Sequence, residues 1–381
     1  MALSARMRPA TLGPLEKVAR LHWPLVTLLL MIGGAGYLLL YSAGGGSHEP
    51  WAWRHGVRLA AGLGVMLAFG MIDPRHWFRV AYPFYAVVLV MLIGVELIGV
   101  FGKGAQRWLD LGVIQLQPSE LMKIALVLAL ARYFHSAWLE EIRRPLYLLP
   151  PVLMIAAPVV LVLLQPDLGT ALMLAAVGGA FLFLAGVRLW KFAVVIGAVA
   201  AAAPVLWSRM HDYQRQRVFT FLNPESDPLG SGYHIIQSKI ALGSGGFWGK
   251  GFLKGSQAQL SFLPEKHTDF AFTMLGEETG FAGAVLVLGL YFAVILCGLY
   301  VALRASSQFG RLLAMGITVN FSLYVIINIA MVSGLIPVVG VPLPLISYGG
   351  TAMLTVLAGF GLVLSVEAHR ELALPRFLGE R

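Results

Sequence analysis

The sequence predicts an all-α polytopic membrane protein of ten transmembrane helices, with one large extracytoplasmic loop between the seventh and eighth. Three observations predict it. Of the 381 residues, 58% are hydrophobic and only 12% charged, with a mean hydropathy of +0.77, too little polar surface to cover a soluble core of that size. Several apolar runs reach the roughly 18–20 residues that cross a bilayer. The runs are continuous and rich in Leu, Ala, Val and Gly. An outer-membrane barrel would instead alternate in segments of about 10 residues.

Taken in order, the spans fall near 23–42, 54–72, 78–100, 118–135, 148–165, 168–186, 191–207, 270–303, 311–332 and 347–367. The first follows Arg6, Arg8, Lys17 and Arg20, and its run from Trp23 to Leu40 exceeds a signal-peptide core, so it reads as an uncleaved span. The fourth opens on "QPSELMK", with Pro118 at a first helical position. The sixth opens on "QPDLGTAL", where Asp167 suits the positive end of the helix dipole. The eighth is too long for a single crossing, which places its first turns at or above the interface. The domain plan is a cytoplasmic tail at 1–22, a membrane domain at 23–367 and a second cytoplasmic tail at 368–381.

Ten crossings put both termini on one side. With that side cytoplasmic, about 16 of the 28 Lys and Arg lie there, while the short outer loops hold Arg54, Arg58, Lys103 and Arg107. The net charge of +9 is scattered through connections rather than gathered in a patch, so no nucleic-acid partner is expected. A single cysteine, Cys297, excludes an intrachain disulfide.

Residues 208–269 form the large outer loop, and an ordered connection of that length is uncommon unless functional. "YHIIQSKIAL" has the spacing of a short amphipathic helix, and the Gly-rich "GSGGFWGKGFLKGS" is expected to be a turn or a mobile segment. The loop ends on "FLPEKHTDFAFTMLGEETGF", which gathers Glu265, Lys266, His267, Asp269, Glu277 and Glu278 between greasy runs. An ionisable group in a span costs a few kcal/mol or more and marks a functional site by default.

Each cluster has a plain structural reading beside a chemical one. Glu120 and Lys123 stand three apart on one helix face, as a structural ion pair or as a lysine offered to an anionic ligand. Asp167 is a helix cap or, beside Gln165, a substrate contact. The segment "GLIPVVGVPLPLISYGGTAML", 334–354, holds Pro337, Pro342 and Pro344, which break a helix, and Gly349 and Gly350, which admit close backbone approach. Non-helical backbone at membrane depth must be buried in protein or line a wet cavity, so this is a re-entrant plug or a hollow lined by Ser347, Tyr348 and Thr351. Thr268 or Asp269 is the expected N-cap of the eighth span, with the Glu pair too far inside for that role. His267 and Asp269, two apart, make a weak metal-ligand spacing.

These clusters, in this order, resemble the SEDS family of bacterial cell-wall polymerases. "AQRWLDLGVIQLQPSELMK", "QPDLGTAL", "FLPEKHTDFAFTMLGEETGF" and "VPLPLISYGGTAML" match its hallmarks across about residues 100–360. Lys266 before "HTDF" and the stretch "NIAMVSGLIPVVGVPLP" resemble the RodA-type elongation branch more than the FtsW-type division branch. Ala271 and Thr279 depart from bulkier apolar residues usual there. The resemblance implies a peptidoglycan glycosyltransferase of the inner membrane that polymerises lipid II into β-1,4 glycan strands at the outer face during elongation, releasing undecaprenyl pyrophosphate. The implied partners are a class B penicillin-binding protein supplying the transpeptidase, and other membrane proteins of the elongation complex. The family's essential acidic residue falls on Asp269.

The chemistry accords with that assignment. One carboxylate serves as general base to the acceptor hydroxyl in an inverting transfer, and pyrophosphate departs without a proton if cations neutralise it. The supply of positive charge is Arg107, Lys123, Arg215, Arg217, Lys239, Lys250, Lys254 and Lys266. A divalent cation, Mg or Mn, bridging Asp269 and pyrophosphate is an alternative role for the same carboxylate. The rival readings are a lipid II flippase or transporter, which also uses broken segments and buried charge pairs, the division-type paralogue, and a non-catalytic scaffold.

Overall fold

The computed structural model describes residues 13–102, 105–110, 112, 115–209, 212–223, 231–256, 265–372 and 374. Helices dominate them: α1 (Pro14–Ala19), α2 (Trp23–Ala43), α3 (Ala52–Met71), α4 (Pro74–Ile98), α5 (Pro118–His135), α6 (Leu139–Arg143), α7 (Leu149–Leu164), α8 (Leu168–Leu184), α9 (Leu189–Arg209), α10 (Asp212–Leu222), α11 (Ser231–Ser244), α12 (Ala271–Arg304), α13 (Gln308–Val332) and α14 (Gly350–Ala368). Among the described residues, six stretches are long and apolar enough to cross a membrane, namely α2, Pro74–Leu97 in α4, Leu146–Leu164 ending α7, α12, α13 and α14. The chain is a multi-pass membrane protein. Leu168–Leu184 and Leu189–Pro204 are shorter apolar helices.

Local chemistry sets the helix starts. Proline stands in the first turn of α2, α4, α5 and α7, where its missing N–H costs nothing. Asp73 caps α4 by accepting from the Arg75 amide at 2.8 Å, and Ser307 caps α13 by accepting from Gly310 at 3.1 Å. His135 adds a tertiary cap, its Nδ1 accepting the Phe309 amide at 3.1 Å.

The bundle is built around α5, which is buried on all sides for most of its length and packs against α4, α7, α8, α13 and α14. A helix buried all round belongs to the core of a large assembly. Glu120 and Lys123 therefore lie inside protein rather than against lipid. α14 lies along α3, and α12 runs beside both α2 and α13.

Between α4 and α5 the chain forms a small antiparallel sheet of β1 (Val100–Gly102), β2 (Ala105–Asp110) and β3 (Gln115–Leu116), in register Val100↔Trp108 and Leu109↔Leu116. It was not expected, because strands this short leave little alternation to read. The segment 333–349 is non-helical, as its prolines require, and α14 begins at Gly350, so the last residues of the expected break are helical.

Candidate active site

The acidic stretch around α12 divides into two regions. In the first, α12 is broken at Gly280, whose φ of 68° and ψ of −166° lie outside helical geometry. A break near the membrane strands backbone groups that need partners. The loop 246–251 supplies them. Lys250 and Gly251 donate their amides to the Glu277 and Glu278 carbonyls, each at 3.0 Å; Phe281 and Ala282 donate to the Gly246 and Phe247 carbonyls at 2.9 and 3.0 Å. A side chain at Gly249, φ 82°, would collide with the Glu278 carbonyl. The Gly-rich run, expected as a turn or a mobile segment, is thus a turn seated on the break, and its glycines permit backbone to touch backbone.

The side chains repeat the pattern. Glu277 is fully buried, with Lys250 Nζ at 2.6 Å and Ser256 Oγ at 3.2 Å. Glu278 accepts from Ser42 Oγ of α2 at 2.5 Å and lies within electrostatic reach of Lys266. Burial pushes the Lys266 ammonium below its usual pKa, and the Glu278 carboxylate pulls it partly back.

The second region is the turn 265–270. Phe270, not Thr268 or Asp269, is the N-cap of α12, and it gives no side-chain bond. Thr268 is engaged inside the turn, its hydroxyl donating to Glu265 Oε2 at 2.5 Å. Asp269 is half-buried. Its carbonyl accepts from Asn328 Nδ2 of α13 at 3.0 Å, and the same nitrogen donates to the Val341 carbonyl at 2.7 Å. The carboxylate lies over Gly340, φ 72°, where an added Cβ would stand 3.5 Å from Asp269 Oδ2. His267 stacks on Trp51, with ring centroids 4.6 Å apart and planes at 17°. Its carbonyl accepts the Tyr348 amide at 2.7 Å, and the Arg58 guanidinium sits 4.8 Å over the Tyr348 ring.

The broken segment carries this turn on one side and α8 on the other. Gly169 of α8 packs so closely under the Val339 carbonyl that a Cβ would clash. Asp167 caps α8, accepting from the Thr170 amide at 3.2 Å and hydroxyl at 2.9 Å. Arg107 Nε stands 3.6 Å from Asp167 Oδ2, and the same guanidinium donates to the Pro166 carbonyl at 2.8 Å. One turn from Asn328, Tyr324 of α13 hydrogen-bonds both Glu120 and Lys123, which pair at 2.6 Å. A small cavity beside Tyr324 is lined by Pro342, Leu343, Ser347, Gly349 and Met353.

Thus Asp269, His267, Tyr348, Asp167 and Arg107 flank or touch the 339–348 backbone, with the Glu120–Lys123 pair beside it on Tyr324. Other expected contributors are engaged elsewhere. Arg215 donates to the Trp207 and Ser208 carbonyls ending α9, at 3.1 and 2.9 Å, and the Lys239 ammonium lies over Gly334. Lys250 is paired with Glu277, and Lys254 is exposed. Ser347 is buried and accepts the Leu343 amide at 2.9 Å, so it braces the turn. The side chain of Arg217 and all of Lys103 lie outside the described residues. Among the described residues, no three His, Cys, Asp or Glu side chains converge to hold a metal ion. Sequence reasoning missed Tyr324, Asn328 and Trp51. For Tyr324 and Asn328 the signal was the spacing of Asn320, Tyr324 and Asn328, four apart on one face of a largely apolar helix.

Three comparisons place this arrangement among known proteins. The peptidoglycan glycosyltransferase MrdB of Escherichia coli strain K12 is 46% identical over 357 residues, covering 91% of this chain and 93% of that protein. A chain from a peptidoglycan synthase complex, whose structure describes coordinated polymerization and crosslinking, superposes with a TM-score of 0.80 at 35% identity, covering 92% of this chain and 98% of that one. The rod shape determining protein RodA of Thermus thermophilus superposes with a TM-score of 0.70 at 30% identity, over 92% of this chain and 98% of that one. Residues 20–372 match the family model for FtsW, RodA and SpoVE, described as cell cycle proteins, and the chain belongs to that family.

Proposed function

We propose that this protein is a RodA-type peptidoglycan glycosyltransferase that polymerises lipid II at the outer face of the cytoplasmic membrane, with Asp269 as general base. Its relative MrdB carries that enzyme name, and the similar chain comes from a complex that couples polymerization to crosslinking. In this reading the six long apolar helices are joined by α3, α5, α8 and α9 to make ten crossings, with both termini cytoplasmic. Residues 208–269 then lie outside, and the tails are 1–22 and 368–381. A class B penicillin-binding protein is the partner that crosslinks the strands.

The observation that carries the reading is the placement of Asp269. It is half-exposed, anchored through its own main chain, and set over a glycine at the edge of a broken, polar segment. A base must come within about 2.6–3.2 Å of the hydroxyl it deprotonates, and a glycine beneath it leaves room for that approach. The acceptor 4-hydroxyl loses its proton to Asp269 as its oxygen attacks the anomeric carbon, and the bond to the lipid pyrophosphate breaks with inversion. Arg58 lies over Tyr348 of the broken segment, Arg107 is paired with Asp167, and Lys123 bonds Tyr324 beside the same segment. Arginine engages phosphate bidentately, which suits it to the leaving group. Mg²⁺ characteristically takes one or two carboxylates and fills its shell with substrate phosphate and water. Asp269 could supply that one carboxylate, so a divalent cation stays part of the proposal as the alternative role.

The test is polymerisation of labelled lipid II by purified protein with its crosslinking partner. Asp269→Asn and Asp269→Ala are expected to abolish glycan strands while melting like the parent protein. Strand synthesis by either variant refutes the base. Movement of labelled lipid II between leaflets without lengthening would establish transport instead. Loss of wild-type activity in EDTA, restored by Mg²⁺ or Mn²⁺, would show that a divalent cation takes part, as the alternative role of Asp269 requires.

A further inference from the structure

We propose that Asn328 is a positioning residue for this reaction, its side-chain amide fixing where the Asp269 carboxylate stands. The inference rests on the reading of Asp269 as the base. Asn328 is fully buried in α13, where an amide is costly unless its hydrogens are bonded. Both known bonds run from Nδ2 to main-chain carbonyls distant in sequence, Asp269 at 3.0 Å and Val341 at 2.7 Å. The opposite flip would press Oδ1 against two carbonyl oxygens, so the bonds settle the amide's orientation. That orientation leaves Oδ1 buried with no protein partner among the described residues. An orphaned buried acceptor is destabilising, and a leucine of similar shape would avoid it. The two bonds its amide donates offset that cost.

What the donors hold is specific. One carbonyl belongs to Asp269 itself. The other belongs to the residue after Gly340, the glycine over which Asp269 Oδ2 lies. A single amide therefore sets both the base and the floor beneath it, and ties the 265–270 turn to the broken segment. Tyr324, four residues earlier on the same helix, engages Glu120 and Lys123. α13 is thus the common ruler for the base and the buried charge pair. Displacement of a reacting group by about 1 Å can cost a hundredfold in rate.

The experiment measures kcat and KM for lipid II, with melting temperature, on the full-length protein and its partner for Asn328→Leu, Asn328→Asp and Asn328→His. Leu and Asp keep the shape and remove the donors; His keeps one N–H at similar reach. The expected result is a fall in kcat of about a hundredfold for Leu and Asp. KM should stay within about twofold and part of kcat should return with His, because the lost interaction acts on the transition state rather than on binding. Wild-type kcat in a folded Leu or Asp variant overturns the inference. So does activity that merely tracks the folded fraction, or a failure of all three variants to fold, since either assigns Asn328 to the scaffold. Asp269→Asn run alongside separates the two claims. If it polymerises normally, the base reading has failed; if it is dead while Asn328→Leu is active, only the positioning role has.

Discussion

Glu277 and Asp269 belong to one acidic stretch, yet the fold uses them in opposite ways. Glu277 is fully buried, its carboxylate fixed by Lys250 and Ser256 and its carbonyl by the Lys250 amide. Asp269 is half-buried and held through its carbonyl, with a glycine under its side chain. An acid bound at its head group is a fastener. An acid held through its main chain has its position set by the backbone. Proximity in sequence says nothing about which is which; the partner of each atom does.

The comparison breaks most visibly at the glycines that let the loop meet the helix break. Gly280→Ala forces a side chain into φ 68° and onto the loop backbone, and Gly249→Ala does the same at φ 82° against the Glu278 carbonyl. Left-handed strain alone costs about 1–3 kcal/mol, and the collisions add to it. Both variants should melt well below the parent in detergent and lose activity in proportion. Asp269→Asn should do the reverse, losing activity without losing stability. If Gly280→Ala melted like the parent, the loop would not be a fixed part of the fold.

A finer cut separates the two halves of the fastener. Lys250→Met strips the countercharge from a fully buried carboxylate, and removing one partner from a buried pair costs about 3–5 kcal/mol. Glu277→Gln leaves Lys250, whose side chain is 27% exposed and can turn to water. Its cost should be nearer to about 1 kcal/mol, that of an ordinary hydrogen bond. Thermal unfolding of both variants and the double variant forms the cycle that isolates their coupling. A double variant whose loss is the sum of the two single losses would mean that Glu277 does not depend on Lys250.

This asymmetry also explains what was legible beforehand. The helical class, the six long apolar stretches and the prolines that open helices or break the 333–349 segment follow from length and composition. The Asp167 cap followed from its place before an apolar run. Asp269 stood out through its resemblance, but its surroundings did not. Asn328, Tyr324 and Trp51 reach the site from α13 and the start of α3, brought there only by packing. A glycine-rich run reads as slack in a sequence, since nothing in it announces that a broken helix needs its amides. Lys266 and Lys250 read as phosphate ligands for the same reason: a cation shows its charge, and only the fold shows the carboxylate it faces.

Lys266 gives the smallest effect and the one with a definite sign. It is nearly buried, and burial holds its pKa below the usual lysine value of 10.5 against the counter-pull of Glu278. Between the folded value and 10.5, the unfolded chain binds more protons than the native one, so stability rises with pH across that window. Below it the cost of charging a buried amine is present in full. Lys266→Met removes the cost, while Glu278 keeps Ser42 at 2.5 Å. The variant should therefore melt slightly above the parent at neutral pH, and the two curves should converge as the pH climbs toward the ordinary lysine range. Taking the difference between the proteins cancels the other groups that titrate there. A gap of opposite sign at neutral pH, with the variant the less stable, would make attraction to Glu278 the larger effect. Lys266 would then be a fastener like Lys250, and the boundary between the two regions would move up to Asp269 itself.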